Sequence, residues 1–310
     1  MTYQLASMAA VSALLVASPA LAQVGPPTGP QSWTAVRFQR GREVRVSTRW
    51  TAVERRGQRS GSVSVTDVST GRETELYTGP AVRTDAVVSD EALLVGMVHA
   101  GARPFVKLVV VPMHDGVLGA PAVTVEAQRQ GGTQFQPDTI VTCSEPGGFA
   151  VLWQELSATD GRDARSYLGH VSTAGQWTAA PRIVNVPWAL GAMAWNGNGY
   201  SLALYYSQTS PEQTRICGVT LSREGTPEQH PWWASPQELV GEILVEHVGG
   251  RLVAVYRGGA DGRTIRSIDL SEQRAWGVEP PQPASHGPIL DTQDFGVQVD
   301  SSGAIQVVRR

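Results

Sequence analysis

Three stretches of the chain share one rhythm of apolar and polar positions while sharing almost no identities. They are C-S-E-P-G-G-F-A-V-L-W-Q from Cys143, M-A-W-N-G-N-G-Y-S-L-A-L-Y-Y from Met193 and E-H-V-G-G-R-L-V-A-V-Y-R from Glu246. Each reads as an apolar run, a short Gly-bearing turn and a second apolar run, which predicts a β-hairpin. Aligned on the second residue of the turn, Gly148, Gly199 and Gly250 stand 51 and 51 residues apart. In the strand after each turn, Val151 and Trp153, Leu202 and Leu204, and Val253 and Val255 fall in one phase of a period-two pattern. The intervening Leu152, Ala203 and Ala254 are apolar as well. This strand is therefore predicted to be covered on both faces, as in a sheet held between two others.

A second landmark recurs at Tyr167 in Y-L-G-H-V, Ile216 in I-C-G-V-T and Ile265 in I-R-S-I-D, spaced 49 and 49. Turns at S-T-A-G (Gly175) and S-R-E-G (Gly225) follow, 50 residues apart. Each unit thus offers strand, turn, strand, polar loop, strand, turn, strand, the content of one four-stranded propeller blade. Weaker copies turn at Asp90 and Glu91, at Gly41 and at Gly303. The markers Gly41, Glu91, Gly148, Gly199, Gly250 and Gly303 give steps of 50, 57, 51, 51 and 53. The expected fold is an all-β propeller of antiparallel blades, six-bladed with an incomplete last blade; the alternative is a five-bladed ring plugged by the final hairpin. A lone blade has two apolar faces, and a closed ring shields both and protects the inner strand edges. Helix is nearly absent: only Ser235 and Glu238, in capping-box spacing, offer a short turn, and a strand-loop reading fits that segment equally.

The segments G-G-F-A-V-L-W…S-Y-L-G-H-V-S-T-A-G and N-G-Y-S-L-A-L-Y…R-I-C-G-V-T-L-S-R-E-G resemble secreted bacterial propeller repeats of the G-Y-L-V-V-W…I-Y-G-x-R-V…G type, over residues 138–228. A further stretch, V-T-D-V-S-T-G-R-E-T-E-L-Y-T-G, with Asp67 and Gly71, is similar to the D-x-x-T-G hairpins of TolB-like propellers. Both resemblances imply the fold; neither implies a reaction.

The 310 residues, 41% hydrophobic and 17% charged with 33 Gly and 20 Pro, suit a turn-rich globular protein. A net charge of -3 argues against a nucleic-acid partner. Residues 1–22 hold an uncharged apolar run from Met8 to Ala17, Pro19, and Ala20 and Ala22 in A-x-A form. This predicts a signal peptide cut before Gln23, in a run too short for a permanent membrane span. Residues 23–32 read as a flexible segment, and 33–310 as a single propeller domain. Export to the periplasm or the extracellular space is the expected localisation, and a monomer without a transmembrane anchor the expected state. Cys143 and Cys217 stand at strand positions that are apolar in other units, as two separate buried thiols or as a bridge between neighbouring units.

Candidate chemistry is sparse. The sequence holds no G-x-S-x-G, no S-x-x-K and no Cys beside a base. His99, His114, His170, His230, His247 and His286 show no metal-ligand spacing. Asp160 and Asp163 share a loop with Arg162 and Arg165, which fits a solvated ion-paired loop better than a calcium site. The S-T-A-G-Q-W stretch from Ser172 to Trp177 mimics a sialidase blade mark but lacks its Asp and reads as an ordinary turn. Arg55, Arg56 and Arg59 form a basic hairpin tip. No catalytic residue, metal or cofactor is therefore assigned. Trp232 and Trp233, Pro-flanked, and Trp188 before the fourth unit are the candidate ligand-binding residues, since flat rings stack on sugars or anchor protein partners.

The reading these features favour is an exported, non-enzymatic propeller that binds a protein or glycan of the cell envelope or extracellular space, or acts as a scaffold. The alternative is a carbohydrate-active hydrolase or lyase, with carboxylates and arginines at the central channel.

Overall fold

The computed structural model describes residues 31–39, 42–52, 59–67, 70–80, 82–100, 103–114, 117–119, 123–127, 134–159, 163–186, 189–206, 215–227, 232–234, 241–248, 251–258, 264–269, 284–288, 295–299 and 305–309. The leader, Gly41, Arg55, Arg56, Asp160, Trp188, Ser235, Glu238, Gly250 and Gly303 lie outside the described residues. Strands β1 (Gln31–Gln39), β2 (Arg42–Ala52), β3 (Arg59–Asp67) and β4 (Arg72–Pro80) form the first sheet. The second holds β5 (Arg83–Val88), β6 (Ala92–His99), β7 (Phe105–His114), β8 (Val117–Leu118) and β9 (Val123–Ala127), with β8 and β9 both paired to β7. The third is β10 (Phe135–Glu145), β11 (Gly148–Ser157), β12 (Ala164–Ser172) and β13 (Trp177–Val184). The fourth is β14 (Ala189–Trp195), β15 (Gly199–Tyr206), β16 (Arg215–Ser222) and β17 (Trp232–Ala234). The fifth is β18 (Gly241–Val248), β19 (Arg251–Gly258), β20 (Thr264–Asp269) and β21 (Ala284–Pro288), and the last is the pair β22 (Phe295–Val299) and β23 (Ile305–Arg309). All neighbours are antiparallel, and no α-helix occurs among the described residues.

The first strand of each sheet packs against the first strand of the next, in the succession β1, β5, β10, β14, β18, β22. The sheets are therefore the blades of a β-propeller, with the first strands around its axis. The doubly covered second strand follows from this arrangement. On β11, Phe149, Val151 and Trp153 pack with Ala92, Leu94, Leu108 and Val110 of the second blade. Its opposite face, Ala150 and Leu152, packs with Leu190, Leu202, Leu204 and Val219 of the fourth. Each large apolar side chain removed from water in this way contributes roughly 1.5–3 kcal/mol. Tyr167, Ile216 and Ile265 are all buried on the third strands β12, β16 and β20, but the register differs: Tyr167 lies opposite Trp153, and its counterpart in the fourth blade, opposite Leu204, is Cys217 rather than Ile216. The outer strand β13 is mostly exposed. Cys143 and Cys217 are free thiols buried in the same seam between the third and fourth blades. Burial pushes the Cys217 thiol up to about 12, and raises Cys143 too, where Glu145 adds to the effect.

The repeated glycines do different work from that expected of turn residues. In the first turn of the third and fourth blades, positive φ falls on Gly147 and Gly197. Gly148 and Gly199 instead begin the second strands, where a Cβ would run into the carbonyl oxygens of Val171 and Leu221 on the third strands. Glycine is needed there for close approach of two backbones. The S-T-A-G and S-R-E-G turns do need positive φ, at Gly175 (76°) and Gly225 (79°). Both sit against the preceding blade. A Cβ on Gly175 would meet Val123 at 2.8 Å, and one on Gly225 would strike Val184 and come within 3.1 Å of Leu168.

Candidate active site

The ladder between first and second strands is unbroken in β1–β2, β5–β6 and β22–β23. In three consecutive blades it slips by one residue. The extra residue is Asp138 in β10, Gly191 in β14 and Glu242 in β18. A β-bulge removes a residue from the ladder and re-aims it, and bulges gather next to active sites. All three fall in the first halves of strands that surround the axis, so they share one end of the channel.

Two neighbouring side chains from β5 hold the Asp138 region. Arg83 Nη1 donates to the Asp138 carbonyl oxygen at 3.1 Å and to its Oδ1 at 2.9 Å, while Thr139 Oγ1 donates to Oδ2 at 2.8 Å. Asp85 Oδ2 accepts from the backbone N–H and the hydroxyl of Thr142, at 2.7 and 2.8 Å. An axial strand leaves half of its backbone groups without a ladder partner; these contacts satisfy two of them and tie the second blade to the third. The Asp138 side chain keeps 24% of its surface exposed. Behind it, on β11, Glu155 is fully buried and accepts from Trp153 Nε1 at 3.3 Å.

A second polar cluster lies at the opposite end of the first strands, in the seam between the third and fourth blades. Glu145, the last residue of β10, has a side chain only 3% exposed. His170 Nδ1 on β12 lies 3.0 Å from Oε1, and Tyr200 on β15 donates its hydroxyl proton to Oε2. Arg223, in the turn after β16, reaches Oε1 at 3.4 Å from a half-exposed position. The ionised carboxylate can only accept, so it fixes the His170 proton on Nδ1. Burial by itself pushes Glu145 upward; donation from His170 and Tyr200 and the charge of Arg223 outweigh it and hold the carboxyl below its ordinary value. The Tyr200 hydroxyl is driven up, by burial first and then by Glu145. Every polar atom of Glu145 is engaged in joining blades, and the cluster reads as a structural knot.

Of the residues expected to bind a ligand, Trp188 lies outside the described residues. Trp232 and Trp233 sit on the outermost strand of the fourth blade, with backbones opposite Gly218 and Cys217. The axial carboxylates form no part of that expected set. Their signal in the sequence is a one-residue slip of the period-two pattern, hidden inside otherwise regular strands.

The sequence matches no protein-family model and no curated protein. Similar solved structures include a GH43 β-xylosidase/α-arabinofuranosidase from a compost microbial metagenome, with 9% identity over 91% of this chain and 96% of that one, at a TM-score of 0.43. A GH43_1 enzyme from Xanthomonas citri has 11% identity over 98% and 96%, also at 0.43. An apocarotenoid oxygenase from Synechocystis has 12% identity over 91% and 64%, at 0.40. These neighbours are enzymes, glycoside hydrolases among them, so the expected non-enzymatic binding or scaffold module gives way to its alternative as the reading to be tested. The error has a physical source: residues that recur from blade to blade are those that pack blades together, so a missing repeated reactive set says nothing about catalysis. At such identities and TM-scores the likeness bears on architecture alone, and the chemistry rests on this chain's own residues.

Proposed function

We propose that this chain is an exported carbohydrate-active hydrolase whose site lies at the end of the channel where the first strands begin. The observation that carries the reading is the run of bulges in β10, β14 and β18, two of them at carboxylate residues, Asp138 and Glu242. Glycoside hydrolysis needs two carboxyl groups flanking the scissile bond, one to give a proton and one to act as base or nucleophile. Asp138, ion-paired with Arg83, suits the second role; Glu242 is left to supply the proton. Asp85 and Thr142 brace β10 beneath the site.

The test compares the purified protein with Asp138→Asn and Glu242→Gln on aryl glycosides of pentoses, hexoses and uronic acids in both anomeric forms. Each substitution is expected to lower kcat by about 10²–10⁴-fold with the melting temperature little changed. A wild type inert across the panel, or variants as active as the wild type, would overturn the reading.

A further inference from the structure

We infer that Arg83 is a positioning residue for Asp138: a side chain of the second blade aims the carboxylate of the third. This rests on the hydrolase reading and adds to it the residue that orients the proposed base or nucleophile. As the extra residue of the β10 bulge, Asp138 stands outside the ladder that joins β10 to β11. The bulge takes away the backbone pairing that holds an ordinary strand residue in place. Contacts from outside the ladder replace it. A single nitrogen, Arg83 Nη1, donates to the Asp138 carbonyl oxygen at 3.1 Å and to Oδ1 at 2.9 Å, so one donor fixes backbone and carboxylate together. Thr139 Oγ1 donates to the other oxygen, Oδ2, at 2.8 Å. One donor on each oxygen sets the plane of the carboxylate, and each oxygen keeps a further acceptor site for a reacting partner. Two more contacts fix the second blade along β10 behind the pair. Asp85 holds the N–H and the hydroxyl of Thr142, and Gly96 on β6 lies so close to Ile140 that a Cβ would stand 2.7 Å from its Cδ1.

Exposure decides what the pair does. The Arg83 side chain is 56% exposed and that of Asp138 24%, and an ion pair so open to water adds little to stability. Orientation is another matter, since a reacting group misplaced by about 1 Å can cost about 100-fold in rate. Arg83 therefore acts on turnover and hardly on folding.

The experiment measures kcat, KM and melting temperature for Arg83→Met, Arg83→Lys, Asp138→Asn and Arg83→Met combined with Asp138→Asn, on whichever aryl glycoside the wild type cleaves fastest. Arg83→Met is expected to lower kcat by about 10–100-fold, with KM within about threefold and the melting temperature little changed. Arg83→Lys should keep most of the rate, because one nitrogen makes both bonds and an ammonium can stand in for it. In the Asp138→Asn background the methionine should cost nothing further, since a residue that acts through the carboxylate has nothing left to aim. Should the methionine variant melt early, Arg83→Gln replaces it in both backgrounds. An unchanged kcat in the single Arg83 variant, or a further loss of about tenfold on top of Asp138→Asn, overturns the positioning role and leaves the hydrolase standing. A wild type that cleaves nothing overturns the hydrolase reading, and this role with it.

Discussion

Glu145 shows how much one residue can hold in this molecule. Donors from β12, β15 and the turn after β16 meet on its carboxylate, so its charge is spent on the seam between two blades. Glu145→Gln leaves an amide facing donors it can no longer fully accept, and a buried polar group left unsatisfied costs about 1–3 kcal/mol. Urea unfolding at neutral pH should show a loss of that order. Because the folded carboxyl is held below its ordinary 4.5, its stabilisation is present above that value and is lost as pH falls below it. The gap between wild type and variant should therefore narrow toward about pH 3; a gap constant with pH would mean that the charge is irrelevant. None of this was legible in the repeat, because the next unit carries Asn196 and Thr220 where this one has Glu145 and His170. Alignment by recurrence keeps the packing residues and discards the polar exceptions.

At the scale of elements, the S-x-x-G turns make the sharpest test of how blades are joined. Gly71, in the matching turn of the first blade, has positive φ (68°) but nothing within 4 Å of a Cβ built on it. Gly225 has the same conformation with Val184 and Leu168 against it. Gly71→Ala should cost about 1–2 kcal/mol from backbone strain alone. Gly225→Ala should cost about 1–3 kcal/mol more, because the added methyl must displace the neighbouring blade. Equal losses from both, measured by chemical denaturation, would show that the turn is not seated. The strands, their order and the doubly covered second strand were readable because period-two alternation and a 51-residue spacing both survive divergence. The bulges were not. A single inserted residue changes neither composition nor spacing enough to stand out, yet it moves Asp138 and Glu242 out of the ladder.

For the whole molecule, the sequence led correctly to a propeller, and it showed no reactive set to weigh against a binding or scaffold module. Buried surface is specified by many positions at once and leaves a statistical trace; a reactive pair is specified by two positions and leaves none. Export is a proposal at this scale. Protein recovered from outside the cytoplasm is expected to begin at Gln23 when its terminus is sequenced, and an intact Met1 or a different first residue would refute the A-x-A cleavage.

The seating of each S-x-x-G turn on the blade before it is one-directional: Thr173 reaches back to Glu91, and Arg223 back to Glu145. A unit of this kind bears a key on one flank and the matching lock on the other. When such a stretch of gene is copied in tandem, the daughter's key meets its sister's lock with no new surface to invent. Rings of this build can thus gain a member by duplication first and diverge afterwards, leaving each copy free to lose its reactive groups or acquire others.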